Sequence, residues 1–502
     1  MKPDPVAVKP DLRTAAATAL TVLAALITAS VAGCASPGQL PAHPAVVDGS
    51  SLVGRKADAG NGISTAWPAS DWYRDFADPR LEALIDEALA GTPSLQTANA
   101  RADRAAAQAR AVRADLWPQV GFDATSTRQR FTENGLIPPA YAGSTQTQNS
   151  VELSGSWELD LFGRHRAELD AAIGSARAAD ADAQAARIQL STQIARGWYT
   201  LARLLEQQRT QAAIREQRRQ TVGLVRNRVA SGLDTTVELR QAENQAFEVD
   251  RDLAALDEQI GNTRHALAAL AGQGPEALAA ASPQWREART LGWPDEVPAD
   301  LLGRRADLVA ARLRVEAALR DVDGARTLFY PNISLTAFVG LNALGFSEWI
   351  DRGSRTYGAG PAISLPIFDA DRLRSNLRSR SADVDDAIGT YNGALVDAVR
   401  DVADQLTSLA SLRDQQQRQV DVQRTADEAR QLATARYRAG LGTFLTVLQA
   451  QTNELAQRRV TIDLRYRVID TQIALVRALG GGYRNDIGFA AETASSRTSA
   501  QE

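Results

Sequence analysis

One residue in this chain has the makings of a modification site. Cys34 is the only cysteine, and it closes the run Val31-Ala32-Gly33-Cys34 behind the apolar or small stretch 14–33 and the cations Lys2, Lys9 and Arg13. A charged segment followed by an apolar one is the layout of a secretory signal. Small residues ending on a cysteine resemble a lipobox, where cleavage falls before the cysteine and its thiol takes lipid, here diacylglycerol and palmitate. Each buried CH₂ contributes about 0.8 kcal/mol, so several acyl chains on Cys34 would hold the mature chain firmly to a membrane. Ala35, which is not an aspartate, points to sorting to the outer membrane.

Other chemistry is scarce. One thiol excludes an internal disulfide, and His43, His165 and His265 are too scattered to build a zinc site. No Walker loop, no Gly-x-Ser-x-Gly elbow and no His-Glu-x-x-His motif occurs, so no enzyme and no cofactor is expected. The many carboxylates sit in helical patterns, where a solvated face is the ordinary outcome. A formal charge of −4 without a basic stripe speaks against nucleic acid as a partner.

The elements that would carry any function are written twice, roughly 210 residues apart. Arg228-Val-Ala-Ser-Gly232-Leu233 returns as Arg436-Tyr-Arg-Ala-Gly440-Leu441, and Trp117-Pro118 as Tyr330-Pro331. Leu161-Phe162 returns as Ile367-Phe368, and Leu270-Ala271-Gly272 as Leu479-Gly480-Gly481. The expected plan is a signal peptide (1–33), a lipidated linker (34–75), a first repeat (76–272), a connector (273–298), a second repeat (299–483) and a polar tail (484–502). Each repeat holds a strand pair, about 118–131 with 147–162 and 331–345 with 356–368, because apolar or small residues alternate with polar ones there. Each pair precedes a long proline-free helix, 164–231 or 371–439, whose apolar residues recur at heptad spacing in places. The first covers 68 residues, or about 100 Å. Gly232 and Gly440 end these helices, and Asp234-Thr235 or Thr443 opens return helices over 234–271 and 443–479.

Four alternating strands in an exported chain also fit a membrane barrel. One chain cannot close it, because the smallest single-chain barrels have eight strands and an open edge in lipid costs several kcal/mol per unpaired backbone group. Two copies would give eight strands, and three would give twelve with more room inside. The rival reading is a coiled-coil lipoprotein that acts as a spacer or tether; it explains the helices and leaves the strand pairs without a role.

These residues resemble the TolC-like outer-membrane channels, and within them the NodT-type lipoproteins serving resistance–nodulation–division efflux pumps. The resemblance rests on Asp78-Pro79-Arg80-Leu81, Trp157-x-Leu-Asp-Leu-Phe-Gly163-Arg164, Leu301-Leu302-x-Arg304-Arg305, Phe329-Tyr330-Pro331-x-Ile333, both Gly-Leu turns and Ala478-Leu-Gly-Gly-Gly482-Tyr483. It implies a mainly helical protomer with transmembrane β-strands, and a homotrimer whose twelve-stranded barrel continues as a periplasmic helical barrel. It also implies passive export, a periplasmic adaptor and an inner-membrane pump of that class. Carried over by position, Gly232, Leu233, Gly440 and Leu441 would be adaptor-docking tips. Leu445 and Gln449, with Arg436 and Tyr437 across the turn, would form the periplasmic gate. Members often carry a carboxylate where Gln449 stands, and Thr446 is uncharged too, which puts an acidic ring in question. Ala306 replaces a proline common in the family.

Overall fold

The computed structural model describes residues 36–48, 52, 67–283 and 303–484. The signal segment, Cys34, the middle of the linker, residues 284–302 and the tail from 485 lie outside the described residues. The chain divides into two compact units, Met1–Ala45 with Asp103–Arg177 and Leu313–Gly389, and Val46–Ala102 with Ala178–Arg312 and Thr390–Glu502.

The first unit holds the strands. Among the described residues β1 (Gln119–Arg130), β2 (Thr145–Glu158), β3 (Asn332–Leu344) and β4 (Arg355–Ser364) form one antiparallel sheet in chain order. β1–β2 and β3–β4 are the hairpins of the two repeats, and β2–β3 joins them. Over part of its length the register gathers apolar and small side chains on one face. Val120, Phe122 and Ala124 of β1 lie opposite Gly155, Leu153 and Val151 of β2. These meet Ala337, Val339 and Leu341 of β3, which in turn meet Ala359, Tyr357 and Arg355 of β4. Over this stretch, with Arg355 at its margin, the face is apolar or small and largely exposed, Val120, Phe122, Tyr357 and Ile363 all about 70% exposed or more; toward the β1–β2 turn it becomes polar, with Ser126, Arg128, Thr147 and Asn149. The opposite face carries Asp123, Thr125, Glu152, Ser154, Ser156, Thr336 and Asn342 among its residues. Among the described residues β1 and β4 are the free edges of this sheet.

Two strands stop short of the alternation that marks them. β2 ends at Glu158 because Asp160 leaves the ladder, its carboxylate accepting from the amides of His165 and Arg166 at 3.1 Å each. That satisfies free N–H groups at the start of α3 (Arg164–Ala230). β4 ends at Ser364, since Pro366 has no N–H to give a ladder. At these junctions Phe162 stacks on Tyr330, ring centres 4.9 Å apart, and Trp157 Nε1 donates to Leu116 O at 3.1 Å. The described N-terminal segment lies along α6 (Ala370–Arg438): Arg374 Nε donates to Ser36 O at 3.0 Å and His43 meets Asp385 at 2.8 Å.

The second unit is helical. α1 (Pro79–Gly91) starts at Asp78, whose Oδ1 accepts from the amides of Arg80 and Leu81, while Pro79 supplies the first-turn geometry. The other oxygen of Asp78 accepts from Trp198 Nε1 at 2.8 Å, so the cap also ties α1 to α3. Around that bond Trp72, Phe76, Leu81 and Ile85 pack on Ile194, Tyr199, Leu201, Leu267 and Ile473. The return helices α4 (Thr236–Leu270) and α7 (Phe444–Ala478) belong wholly to this unit, whereas α2 (Pro93–Ala114), α3, α5 (Ala306–Thr327) and α6 each have residues in both units. α3 has 67 residues and α6 has 69, about 100 Å each.

Candidate functional site

The two chain reversals between long and return helices are built alike. Gly232 and Gly440 take φ of +72° and +75°. Leu233 N donates to Arg228 O at 2.9 Å and Gly232 N to Val229 O at 3.0 Å; Leu441 N and Gly440 N repeat this onto Arg436 O and Tyr437 O at 2.8 and 3.0 Å. This pair of bonds closes a helix with a left-handed residue, which glycine adopts without a Cβ penalty. A Cβ at either glycine meets nothing within 4 Å, so only the backbone angle demands glycine there. Leu233 and Leu441 project from the ends, 65% and 70% exposed.

The halves differ one residue further on, where Asp234 stands against Gly442. Asp234 leaves the capping of α4 to Thr235, which forms a capping box with Glu238. Its carboxylate takes Arg228 Nε at 2.9 Å and Nη2 at 3.2 Å, and also the hydroxyl of Tyr437 from the other tip. Arg228 lies over the Tyr437 ring at 4.5 Å and donates to the Tyr437 carbonyl at 3.2 Å. Tyr437 itself is 1% exposed and packs among Val225, Ala242, Ala433, Phe444 and Val447. One knot of three side chains therefore fastens the first tip to the second. Burial pushes the Asp234 carboxyl up, but the bonds from Arg228 and Tyr437 outweigh it and hold it below the usual carboxylate range. Burial and the same carboxylate push the Tyr437 phenol well above its ordinary value.

The gate candidates fall into two groups. Leu445 and Gln449 are exposed and one turn apart, so they share one stripe of α7. Thr446 is exposed beside them, whereas Phe444, Val447, Gln451 and Glu454 form the buried seam. Arg436 is exposed and donates to Leu441 O at 3.4 Å. Tyr437 is inside the tip core rather than on the stripe with Leu445 and Gln449. Arg228 and Asp234 enter the sequence reading only as a repeat landmark and a helix start, and their bond to Tyr437 is missed there. Their signal was the mismatch between repeats, a carboxylate in one where the other has Gly442. Cys34 lies outside the described residues.

Residues 84–273 and 297–481 match the family described as outer membrane efflux protein. The multidrug resistance outer membrane protein MdtP of Shigella flexneri is 34% identical over 430 residues, 84% of this chain and 88% of MdtP. The fusaric acid resistance protein FusA of Burkholderia cepacia is 36% identical over 73% of this chain and 69% of its own. Among solved structures, the outer membrane protein VceC of Vibrio cholerae superposes with a TM-score of 0.78 at 36% identity, covering 83% of this chain and all of VceC.

Proposed function

Because the chain belongs to the outer membrane efflux protein family, and is an outer-membrane channel of an efflux pump, we propose that three copies share one twelve-stranded barrel and that the helical tips are its controllable end. The observation that carries this is the apolar sheet face, continuous across four strands and bounded by free edges at β1 and β4. Such a face suits lipid, and such edges do not: each unpaired backbone group in hydrocarbon costs several kcal/mol. Pairing β4 of one copy with β1 of the next removes every edge, and twelve strands leave an interior wide enough to conduct.

On this reading cargo passes without any bond being made or broken, and an inner-membrane pump of the resistance–nodulation–division class supplies the energy. A periplasmic adaptor docks on Gly232-Leu233 and Gly440-Leu441. The exposed stripe of α7 bearing Leu445 and Gln449 lines the constriction, and the Arg228–Asp234–Tyr437 knot holds it shut. Lipid on Cys34, diacylglycerol with palmitate, adds a second hold on the outer membrane. The test is single-particle imaging of the mature protein purified in detergent from outer membranes, with conductance across a planar bilayer. A three-fold hollow particle that conducts is expected. A monomer or a solid, non-conducting rod would overturn the duct and favour the tether.

A further inference from the structure

The seam that holds α7 against its neighbours is apolar at both ends and polar in the middle. Toward the tips lie Val225, Phe444 and Val447; further along, Ile214, Val249 and Leu253 pack with Leu455. Between them, at the helical spacing 214–218–221–225 on α3 and 447–451–454 on α7, stand Arg218, Thr221, Gln451 and Glu454. Arg218, Gln451 and Glu454 are each 4% exposed. Arg218 Nη1 donates to Gln451 Oε1, and Gln451 Nε2 reaches Thr221 Oγ1 at 3.4 Å. Glu454 is paired with Arg430 of α6 at 2.9 Å and Arg458 at 2.8 Å, and with Glu248 it favours the charge on Arg218 without a hydrogen bond to it. The guanidinium of Arg218 is thus a buried cation whose hydrogen-bond partner is a neutral amide.

An apolar pair of similar volume would hold such a seam more tightly. A polar residue at one seam position lowers stability and fixes which faces meet. Gln451 is two residues beyond Gln449, about 200° around the helix, so a bond at Gln451 sets where the stripe of Leu445 and Gln449 points. We propose that Arg218 and Gln451 are positioning residues for the gate: their layer fixes the rotation of α7 about its axis, and it is the plane at which the gate-bearing end of α7 parts from α3 when the duct opens. This rests on the reading that Leu445 and Gln449 form the constriction.

The test uses purified full-length trimers, with open probability in planar bilayers and thermal melting measured on the same preparations. Gln451→Leu leaves Arg218 without its acceptor; open probability should rise roughly 5- to 30-fold, the factor set by one or two kcal/mol, while melting falls. Gln451→Glu restores an acceptor, now charged, and should return open probability to the wild-type level or below. The double variant Arg218→Leu with Gln451→Leu removes the buried cation together with its amide acceptor, leaving Thr221 and Glu454; it should melt higher than Gln451→Leu and open less than it. That last pairing separates positioning from a merely structural role, which would leave gating unmoved when stability rises. If open probability stays at the wild-type level in all three, while Leu445→Ser with Gln449→Ala conducts more, the layer has no part in gating. If that stripe variant is silent too, the constriction lies elsewhere and the proposal falls with it.

Discussion

Replacing Tyr437 by Phe removes one hydroxyl from the knot between the tips and leaves nearly everything else. The ring keeps its place among Phe444, Val447 and Ala433, and Arg228 keeps both the ring and the two bonds to Asp234. What is lost is the phenol's hydrogen bond to a carboxylate. Hydrogen bonds to charged groups contribute about 1.5–3 kcal/mol. Asp234 retains Arg228 and lies at a hairpin end within reach of water, so a loss of about 1–2 kcal/mol is the appropriate expectation. If opening the gate requires breaking this bond, the open population grows roughly 5- to 30-fold. Uptake of a bulky glycopeptide antibiotic by pump-deficient cells should rise accordingly, while trimer content in the outer membrane stays at the wild-type level. Asp234→Asn should leak more, since it also weakens the hold on Arg228. Unchanged uptake in both variants, with trimers intact, would refute the knot as the element that keeps the duct shut.

Other outcomes follow from particular residues. Leu in place of Gly232 or Gly440 must adopt a left-handed backbone, at about 1–2 kcal/mol each; trimers should still form but efflux should fall, and normal efflux in the double variant would move adaptor docking away from the tips. Leu445→Ser with Gln449→Ala should raise passive antibiotic uptake in pump-deficient cells. Cys34→Ser should abolish palmitate labelling, and persistent label would place the lipid on another residue. Burial, with the neighbouring Asp427, raises the Glu454 carboxyl above its ordinary value against the pull of Arg430 and Arg458. A raised carboxyl favours the folded state while protonated and loses that contribution as pH rises through its folded value. Glu454→Gln should therefore melt higher than wild type at pH 8 and converge with it at pH 4; a constant difference between the two would refute the assignment.

The strands and helices were legible because their periods are long and clean. Leu153, Val339 and Tyr357 sit in alternations of ten or so residues, Val120 and Phe122 in a shorter and weaker one, and α3 and α6 contain no proline to interrupt them. Their ends were less legible, since they depend on single polar contacts. Asp160 could have continued the alternation of β2, and only its capping of α3 removes it from the strand. The two Gly-Leu reversals could be read from sequence because glycine at a helix end has one dominant backbone use. The knot could not be read so directly: Arg228, Asp234 and Tyr437 are separated by up to 209 residues and meet only when the repeats pack. Gln449 and Gln451 illustrate the same limit. Both are glutamines on α7 two residues apart, and packing alone makes one exposed and the other a buried acceptor for Arg218.

The two repeats end in similar tips that differ in how firmly each is closed within its own repeat. The first tip carries the capping box of Thr235 and Glu238 together with the Arg228–Asp234 ion pair, so α3 and α4 are fastened to each other without help from the second repeat. The second tip has Gly442 in place of the carboxylate, and its cap is Thr443 accepting from Thr446 N at a long 3.4 Å. Arg436, the counterpart of Arg228, reaches only the Leu441 carbonyl. The second tip is tied to the first repeat by Tyr437, in the last turn of α6, to Asp234, and α7 by Gln451 to Arg218, while Glu454 with Arg430 and Phe444 against Tyr437 hold α7 to α6. Elements with the weakest local closure open first. The stripe with Leu445 and Gln449 follows that more weakly capped turn, so, on the proposed gate, a partner that displaces only the Tyr437 hydroxyl from Asp234 should loosen the second tip, while the Thr235–Glu238 capping box and the Arg228–Asp234 pair keep the first tip closed.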